Sequence, residues 1–236
     1  GLHGDEQCRA LDVCDAEAVA RLVAEVKPQL TIHLAAQASV GKSFSEEQKT
    51  WNINLQGSLN LFAALRQHAA NSALMFISSS DVSGASFKAG IALSEDALLQ
   101  PLNPYAASKA AADLAAGQLA ASSDLRVVRM RPFNHSGAGQ AQGFVLPDFA
   151  AQIARIERGE QGHIAVGNLT AQRDFLHVAD VADAYVGVAA LLLRNDPQLQ
   201  TGEVLNVASG QPVAISQCLQ QMVLQANCTV AVVQDA

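Results

Sequence analysis

Apolar positions along this chain follow two rhythms. After Asp15, a suitable N-cap, Val19, Leu22, Val23 and Val26 fall at helical spacing and predict an amphipathic helix. A second helix is predicted from Thr50 to His68, striped by Leu55, Leu59, Leu61, Phe62 and Leu65. Further helices are expected over Pro104 to about Ala121, Pro147 to Arg158, Val178 to Leu193 and Ser216 to Gln225. Between them short apolar runs read as strands: the tail Leu11-Asp12-Val13, a buried strand from Leu30 to Ala36, then Leu74 to Ile77, Arg126 to Met130, Ile164 to Val166 and Val204 to Val207. Strands alternating with helices in this way imply an α/β fold, a doubly wound parallel sheet with right-handed crossovers. Ligands of such sheets gather outside the carboxyl ends of the strands. That directs the search to Asp12-Val13, Ala35-Ala36-Gln37, Ser78 to Asp81 and Pro132 to His135. Beyond residue 140 the alternation loosens, and a smaller lobe built onto the sheet is expected.

Composition narrows the field. Half of the 236 residues are apolar and 16% are charged, which suits a sizeable core. The net charge is -7 and the basic residues are scattered, so neither nucleic acid nor an anionic membrane is an expected partner. The longest helical apolar block, Val186 to Leu193, is too short for a membrane span and is closed by Arg194 and Asn195. The start, Gly1 to Glu6, has no basic or apolar region of a secretory signal. Cys8, Cys14, Cys218 and Cys228 form no Cys-x-x-Cys pair and have no His at ligand spacing, so reduced thiols, a cytoplasmic location and no metal are expected.

The candidate chemistry centres on Asn103-Pro104-Tyr105-Ala106-Ala107-Ser108-Lys109. Asn103 suits an N-cap and Pro104 the first helical position. Tyr105 and Lys109 then share one helix face, where a nearby ammonium favours phenolate and is expected to lower the tyrosine pKa. A glycine-rich turn after a first strand, the usual sign of a dinucleotide site, is missing. Gly137-x-Gly139-x-x-x-Gly143 follows a strand but has the wrong third spacing and reads as a flexible loop.

Leu11-Asp12-Val13-x-Asp15, His33-Leu34-Ala35-Ala36-Gln37, Asn54-x-x-Gly57-Ser58, Ser78-Ser79-Ser80-Asp81-Val82-x-Gly84 and Tyr105-x-x-x-Lys109 follow one another in a fixed order. Together they resemble the extended short-chain dehydrogenase/reductase family, which acts mostly on nucleotide-linked sugars. The resemblance implies a Rossmann-like fold and a catalytic set of Ser79, Tyr105 and Lys109, with Ser80 beside the substrate as a less favoured serine. Tyr105 would give a proton to a carbonyl oxygen while Ser79 hydrogen-bonds it. It also implies that Asp12 and Val13 meet an adenine, that Leu34, Ala35, Ala36 and Gln37 pass under the adenosine and pyrophosphate, and that Lys109 holds the ribose. Small residues at 35 and 36 equally suit close strand-helix packing. Asn54 matches a helix asparagine that ties two strands together and reads as structural. The implied division is a dinucleotide-binding domain over 1-133 and a substrate lobe over 134-236, with the chain crossing back to the sheet at about 174-208.

Arg131-Pro132-Phe133-Asn134-His135-Ser136-Gly137, Gly143-Phe144-Val145-Leu146-Pro147, Val166-Gly167-Asn168-Leu169 and Arg173-Asp174-Phe175-x-x-Val178-x-Asp180-Val181 are similar to the GDP-4-dehydro-6-deoxy-D-mannose reductases. By that resemblance Asn134 and Arg173 hold a diphosphate and His135 lies beside the nicotinamide of NADP(H), with NAD(H) as the alternative. An arginine fork matches phosphate oxygens. Taken alone, Arg173 also fits an ion pair with Asp174 or Asp180. GDP-mannose 4,6-dehydratase is the nearest rival, with Asp81 as its acid or base; a C4 epimerase and a noncatalytic dinucleotide-sensing scaffold stand behind it. The alanines of the Tyr105 helix imply a homodimer. Ser83 stands where the family has tyrosine. The family's first strand, glycine loop, first helix and second strand have no counterpart before Leu11, and its final nucleotide-binding segment none after Ala236. The expectation is a truncated copy of a longer enzyme, which alone binds NADP(H) poorly.

Overall fold

The computed structural model describes residues 8-234, so the Gly1 to Glu6 start and the end at Ala236 lie outside it. Two compact units emerge, one running to Arg131 and including Val188–Leu205, the other comprising Pro132–Gly187 and the chain from Asn206.

In the first unit α1 (Ala16–Val26) starts where the Asp15 carboxylate accepts the Ala18 N–H at 2.9 Å. Strand β1 (Leu30–His33) follows, then α2 (Val40–Ser45), which the apolar pattern does not announce. The predicted Thr50–His68 helix is a longer run: α3 (Glu47–Trp51), a π segment (Asn52–Gln56) and α4 (Gly57–His68). Strand β2 (Ala73–Ile77), a 3-10 segment (Ser80–Ala89), α5 (Pro104–Ser122), β3 (Arg126–Pro132, to Arg131 in this unit) and the Val204–Leu205 part of β7 (Val204–Val207) complete the sheet side. The order is β1-β2-β3-β7, and β1, β2 and β3 pair in parallel, with Leu30 opposite Ala73 and Ala73 opposite Arg126.

The centre of this unit is dry. Val19 and Val23 from α1, Phe62 and Leu65 from α4, Leu74 and Phe76 from β2, Ala112, Ala116 and Leu119 from α5 and Val127 from β3 form one buried cluster. Each large side chain there contributes about 1.5–3 kcal/mol relative to exposure. Two expectations give way. Leu11 to Val13 is no strand, because Asp12 Oδ1 takes the Cys14 N–H at 2.9 Å and bends the chain. Strand β1 stops at His33 and is not fully buried: among the described residues it is the outermost strand, and Ile32 is 40% exposed.

Glycine matters at two contacts. A Cβ at Gly57 would meet Val13 Cγ2 at 2.6 Å, so α4 approaches the Asp12–Cys14 turn only without one. Gly84 has φ +42° and faces the Gln100 carbonyl, doubly excluding a side chain.

The second unit is built from shorter pieces: β4 (Asn134–Ser136), α6 (Val145–Glu157), β5 (His163–Val166), β6 (Gln172–His177), the Val178–Gly187 part of α7 (Val178–Arg194), β8 (Pro212–Ala214), α8 (Ile215–Leu224) and β9 (Ala231–Gln234). Strands β4 and β6 pair in parallel, β6 and β8 antiparallel, and β5 pairs with β9 in parallel. Phe149, Ile153, Ile164, Val166, Ile215 and Leu219 form its core.

Candidate active site

At the carboxyl end of β2 the chain turns sharply. Ser78 N–H donates to Met130 O at 2.7 Å, and Ser79 Oγ accepts the Asp81 N–H at 3.2 Å, so Ser79 caps the 3-10 segment. Helix α5 starts beside it: Asn103 Oδ1 accepts the Ala106 N–H at 2.8 Å and Pro104 takes the first position. Ser79 and Asp81 both bear on the Tyr105 phenol, the serine side chain favouring phenolate and the charge of Asp81 opposing it. One turn on, the Lys109 ammonium donates to Ile77 O at 2.5 Å and stands 4.8 Å from the centre of the Phe76 ring. Only 4% of Lys109 is exposed.

The expected depression of the tyrosine pKa does not occur. Burial pushes Tyr105 up to about 12; the Ser79 side chain opposes this and the charge of Asp81 adds to it. Lys109 turns its charge to a strand carbonyl, and desolvation of the phenol prevails. Burial also lowers Lys109 to about 8, against the pull of Asp113, and His33 to about 4, aided by the Lys109 charge. At neutral pH Tyr105 is therefore a phenol and Lys109 mostly an ammonium.

A hydrogen-bonded chain fixes this end of the sheet. Asn54, in the π segment, accepts the Gln37 N–H at 2.7 Å and donates to Gln37 O at 3.1 Å and Ser108 Oγ at 3.0 Å. Ser108 Oγ donates to Tyr105 O at 2.8 Å. Ser58 Oγ, bonded to Asn54 O at 2.6 Å, lies 3.0 Å from His33 Nε2. The Gln37 side chain is spent inside its own loop, on Ser39 and Thr50. Leu34 and Ala35 are exposed just past β1, Ala36 is half-buried, and Asp12 is exposed beside half-buried Val13. Ser80 is buried.

Below Lys109 on α5 lies a residue that the motif reading passed over. Asp113, fully buried, accepts Arg131 Nε at 3.0 Å and Nη2 at 3.1 Å, and Arg129 Nη1 at 2.9 Å. Its signal in the sequence is the four-residue step from Lys109, together with two arginines two apart on a strand.

In the second unit Asn134 and His135 are exposed on β4 opposite Phe175 and Leu176, and His135 Nδ1 lies 2.9 Å from Phe133 O. A cavity of about 300 Å³ opens among His135, Ser136, Gly137, Gln140 and Val178. Another, of about 270 Å³, lies between α6 and β5, lined by Phe149, Gln152, Ala165 and Asn168. Arg173 is exposed on β6 and donates to Gln172 O at 2.7 Å. Neither ion pair that its neighbours suggest is formed among the described residues. Asp174 instead accepts Ser209 N–H at 2.9 Å, Ser209 Oγ at 2.8 Å and Gly210 N–H at 2.7 Å. Among the described residues no group of three or more His, Cys, Asp and Glu is placed to hold a metal ion, and no helix is long and apolar enough to cross a membrane.

A family model described as GDP-mannose 4,6 dehydratase matches residues 2–235. The chain belongs to this family. It is 38% identical over 209 residues to GDP-6-deoxy-D-mannose reductase of Pseudomonas aeruginosa, a match covering 88% of this chain and 66% of that protein. It is 28% identical over 210 residues to the human GDP-mannose 4,6 dehydratase, covering 87% of this chain and 55% of the relative. The chain thus spans between about half and two thirds of these relatives. The structure of RMD from Pseudomonas aeruginosa complexed with NADPH superposes with a TM-score of 0.86 at 36% identity, covering 96% of this chain and 74% of that one. The architecture is the Rossmann-like parallel-sheet fold of such reductases, dehydratases and epimerases.

Proposed function

We propose that this protein reduces the 4-keto group of a GDP-linked 6-deoxyhexulose with NADP(H), converting GDP-4-dehydro-6-deoxy-D-mannose to GDP-D-rhamnose. The observation that carries this reading is the grouping of Ser79, at the carboxyl end of β2, with a Tyr105 that burial keeps protonated and a buried Lys109 one helical turn on. The 38% identity to a reductase of that substrate class supports the choice of sugar nucleotide.

The residues present fit part of the cofactor. Leu34, 63% exposed, and small Ala35 offer a bare step past β1, whose last residue, His33, feels the charge of Lys109. Asp12 and Val13 would meet the adenine, Leu34 to Gln37 would underlie the adenosine and pyrophosphate through their backbone, and Lys109 would hold the ribose. His135 would stand at the nicotinamide. When bound, the nicotinamide supplies hydride. Tyr105 donates its phenolic proton to the carbonyl oxygen, a task suited to a phenol that burial keeps protonated, and Ser79 hydrogen-bonds the same oxygen. Asn134 and Arg173 would bind the diphosphate, Arg173 having no carboxylate partner among the described residues. In this reading the first unit serves the cofactor and the second mainly the substrate, and the protein works in the cytoplasm. Leu114, 61% exposed on α5 among small alanines, supports a homodimer through that helix; light scattering that finds a monomer at micromolar concentrations would refute it.

One observation favours a second reading. Asp81 acts on Tyr105 through its charge, as an acid or base for eliminating water would. Separate incubations with NADPH plus GDP-4-dehydro-6-deoxy-D-mannose and with GDP-mannose, each with product identification, decide. Oxidation of NADPH with GDP-D-rhamnose formed supports the reductase; conversion of GDP-mannose to the 4-keto sugar assigns the dehydratase instead.

A further inference from the structure

Tyr105, Lys109 and Asp113 follow at steps of four along α5 and so lie on one face. The last of the three is held unusually firmly for a carboxylate with no surface exposure. Arg131 grips it in bidentate fashion, Arg129 adds a third bond, and each arginine is tied down in turn: Arg131 Nη1 to Glu95 O at 2.9 Å, Arg129 Nη2 to Gly202 O at 2.7 Å. A buried anion placed so rigidly beside a buried lysine has an electrostatic consequence.

We propose that Asp113 is a positioning residue for Lys109: its carboxylate, fixed by Arg129 and Arg131, is the counter-charge one helical turn away that holds Lys109 charged and turned to the sheet. No ion pair within bonding distance joins the two, so the effect travels through the low-dielectric interior. The groups facing Lys109 are Asp113 from α5 itself and His33 from β1, with Ile77 O and the Phe76 ring from β2. Those facing Asp113 are Arg129 and Arg131 from β3 and Lys109. His33 is neutral at working pH, which leaves Asp113 as the anion acting on Lys109. Its pull opposes the burial that lowers Lys109 to about 8. Two cations and one anion in the anchor would repel Lys109 outright if the carboxylate lost its charge. A purely structural ion pair would stitch α5 to β3 and leave the lysine's titration unmoved.

The inference rests on the reading of Lys109 as a working residue of the site, but its test does not. The protein is labelled with ¹³C at lysine Cε, and the Lys109 signal, assigned with Lys109→Arg, is followed against pH. In Asp113→Asn the midpoint is expected to fall by about one pH unit or more, while Asp113→Glu restores most of the change. In turnover, the alkaline limb of kcat moves to lower pH with KM unchanged. An unmoved midpoint in folded Asp113→Asn overturns the proposal. Should that variant fail to fold, Arg129→Gln, at a side chain 17% exposed, is expected to raise the midpoint by several tenths of a pH unit, and no movement there overturns the proposal equally. A shifted midpoint in a protein that reduces no keto sugar supports the coupling and fails the functional reading alone.

Discussion

The two units treat their candidate residues in opposite ways. In the first, Ser79 is 8% and Lys109 4% exposed, and the side chain of each is bonded to fixed backbone. In the second, Asn134, His135 and Arg173 stand in solvent on strands of three to six residues. The difference follows from the tasks proposed. A proton donor gains from a rigid, poorly solvated setting where its protonation state is fixed beforehand. Groups that grasp a diphosphate need open approach, and a guanidinium keeps its charge in water without help.

The sharpest break of this contrast is Tyr105→Phe. On the proposed reaction it should cost roughly a thousandfold in kcat, with NADPH binding measured by fluorescence little changed. Retained turnover would remove the first unit's claim to the chemistry.

Next is the pH dependence of stability. The folded protein holds His33 neutral to about pH 4, against 6.5 for an ordinary histidine, so unfolding takes up a proton between those values. Stability should therefore fall as pH drops from about 6.5 to about 4, by about 3 kcal/mol in all. Urea titrations across that window should show the loss, and His33→Gln should blunt it.

The open unit has its own brace, and Asp174→Ala tests it. Removing an acceptor of three bonds leaves two backbone N–H groups near β6 without their partner, at about 2 kcal/mol in thermal or urea unfolding. The smallest expected effect is that of Arg173→Lys, about tenfold in KM with kcat unchanged, as a fork gives way to a point charge. A change in kcat instead would place Arg173 with the chemistry and blur the contrast.

Much of the first unit was legible in the sequence because its signals are local. Asp15 capped α1 and Asn103-Pro104 opened α5 where spacing placed them. The fixed order of short motifs disclosed the family. The acidity of Tyr105 was not legible: helical spacing reveals that a lysine is near, but not that the lysine points to Ile77 O or how deeply the phenol is desolvated. Strands β4, β6, β8 and β9 escaped for another reason. Their alternation is short or interrupted by polar residues such as Arg173 and Asp174, and their pairing depends on partners distant in sequence. Asp113 carried a pattern, yet only the fold reveals that Arg129 and Arg131 meet it.

The π segment has a consequence for how this chain is compared with others. Each residue of a regular helix turns it by about 100°, so the wide turn at Asn52–Gln56 acts as a one-residue phase slip between α3 and α4. Upstream of it Thr50 Oγ1 accepts from Gln37; downstream Ser58 meets His33. Deleting one residue there would regularise the ladder and swing one of these partners more than a quarter-turn out of reach. A relative lacking that residue must therefore be aligned with a gap inside an unbroken helix, and a match that runs straight through would misassign every position on one side.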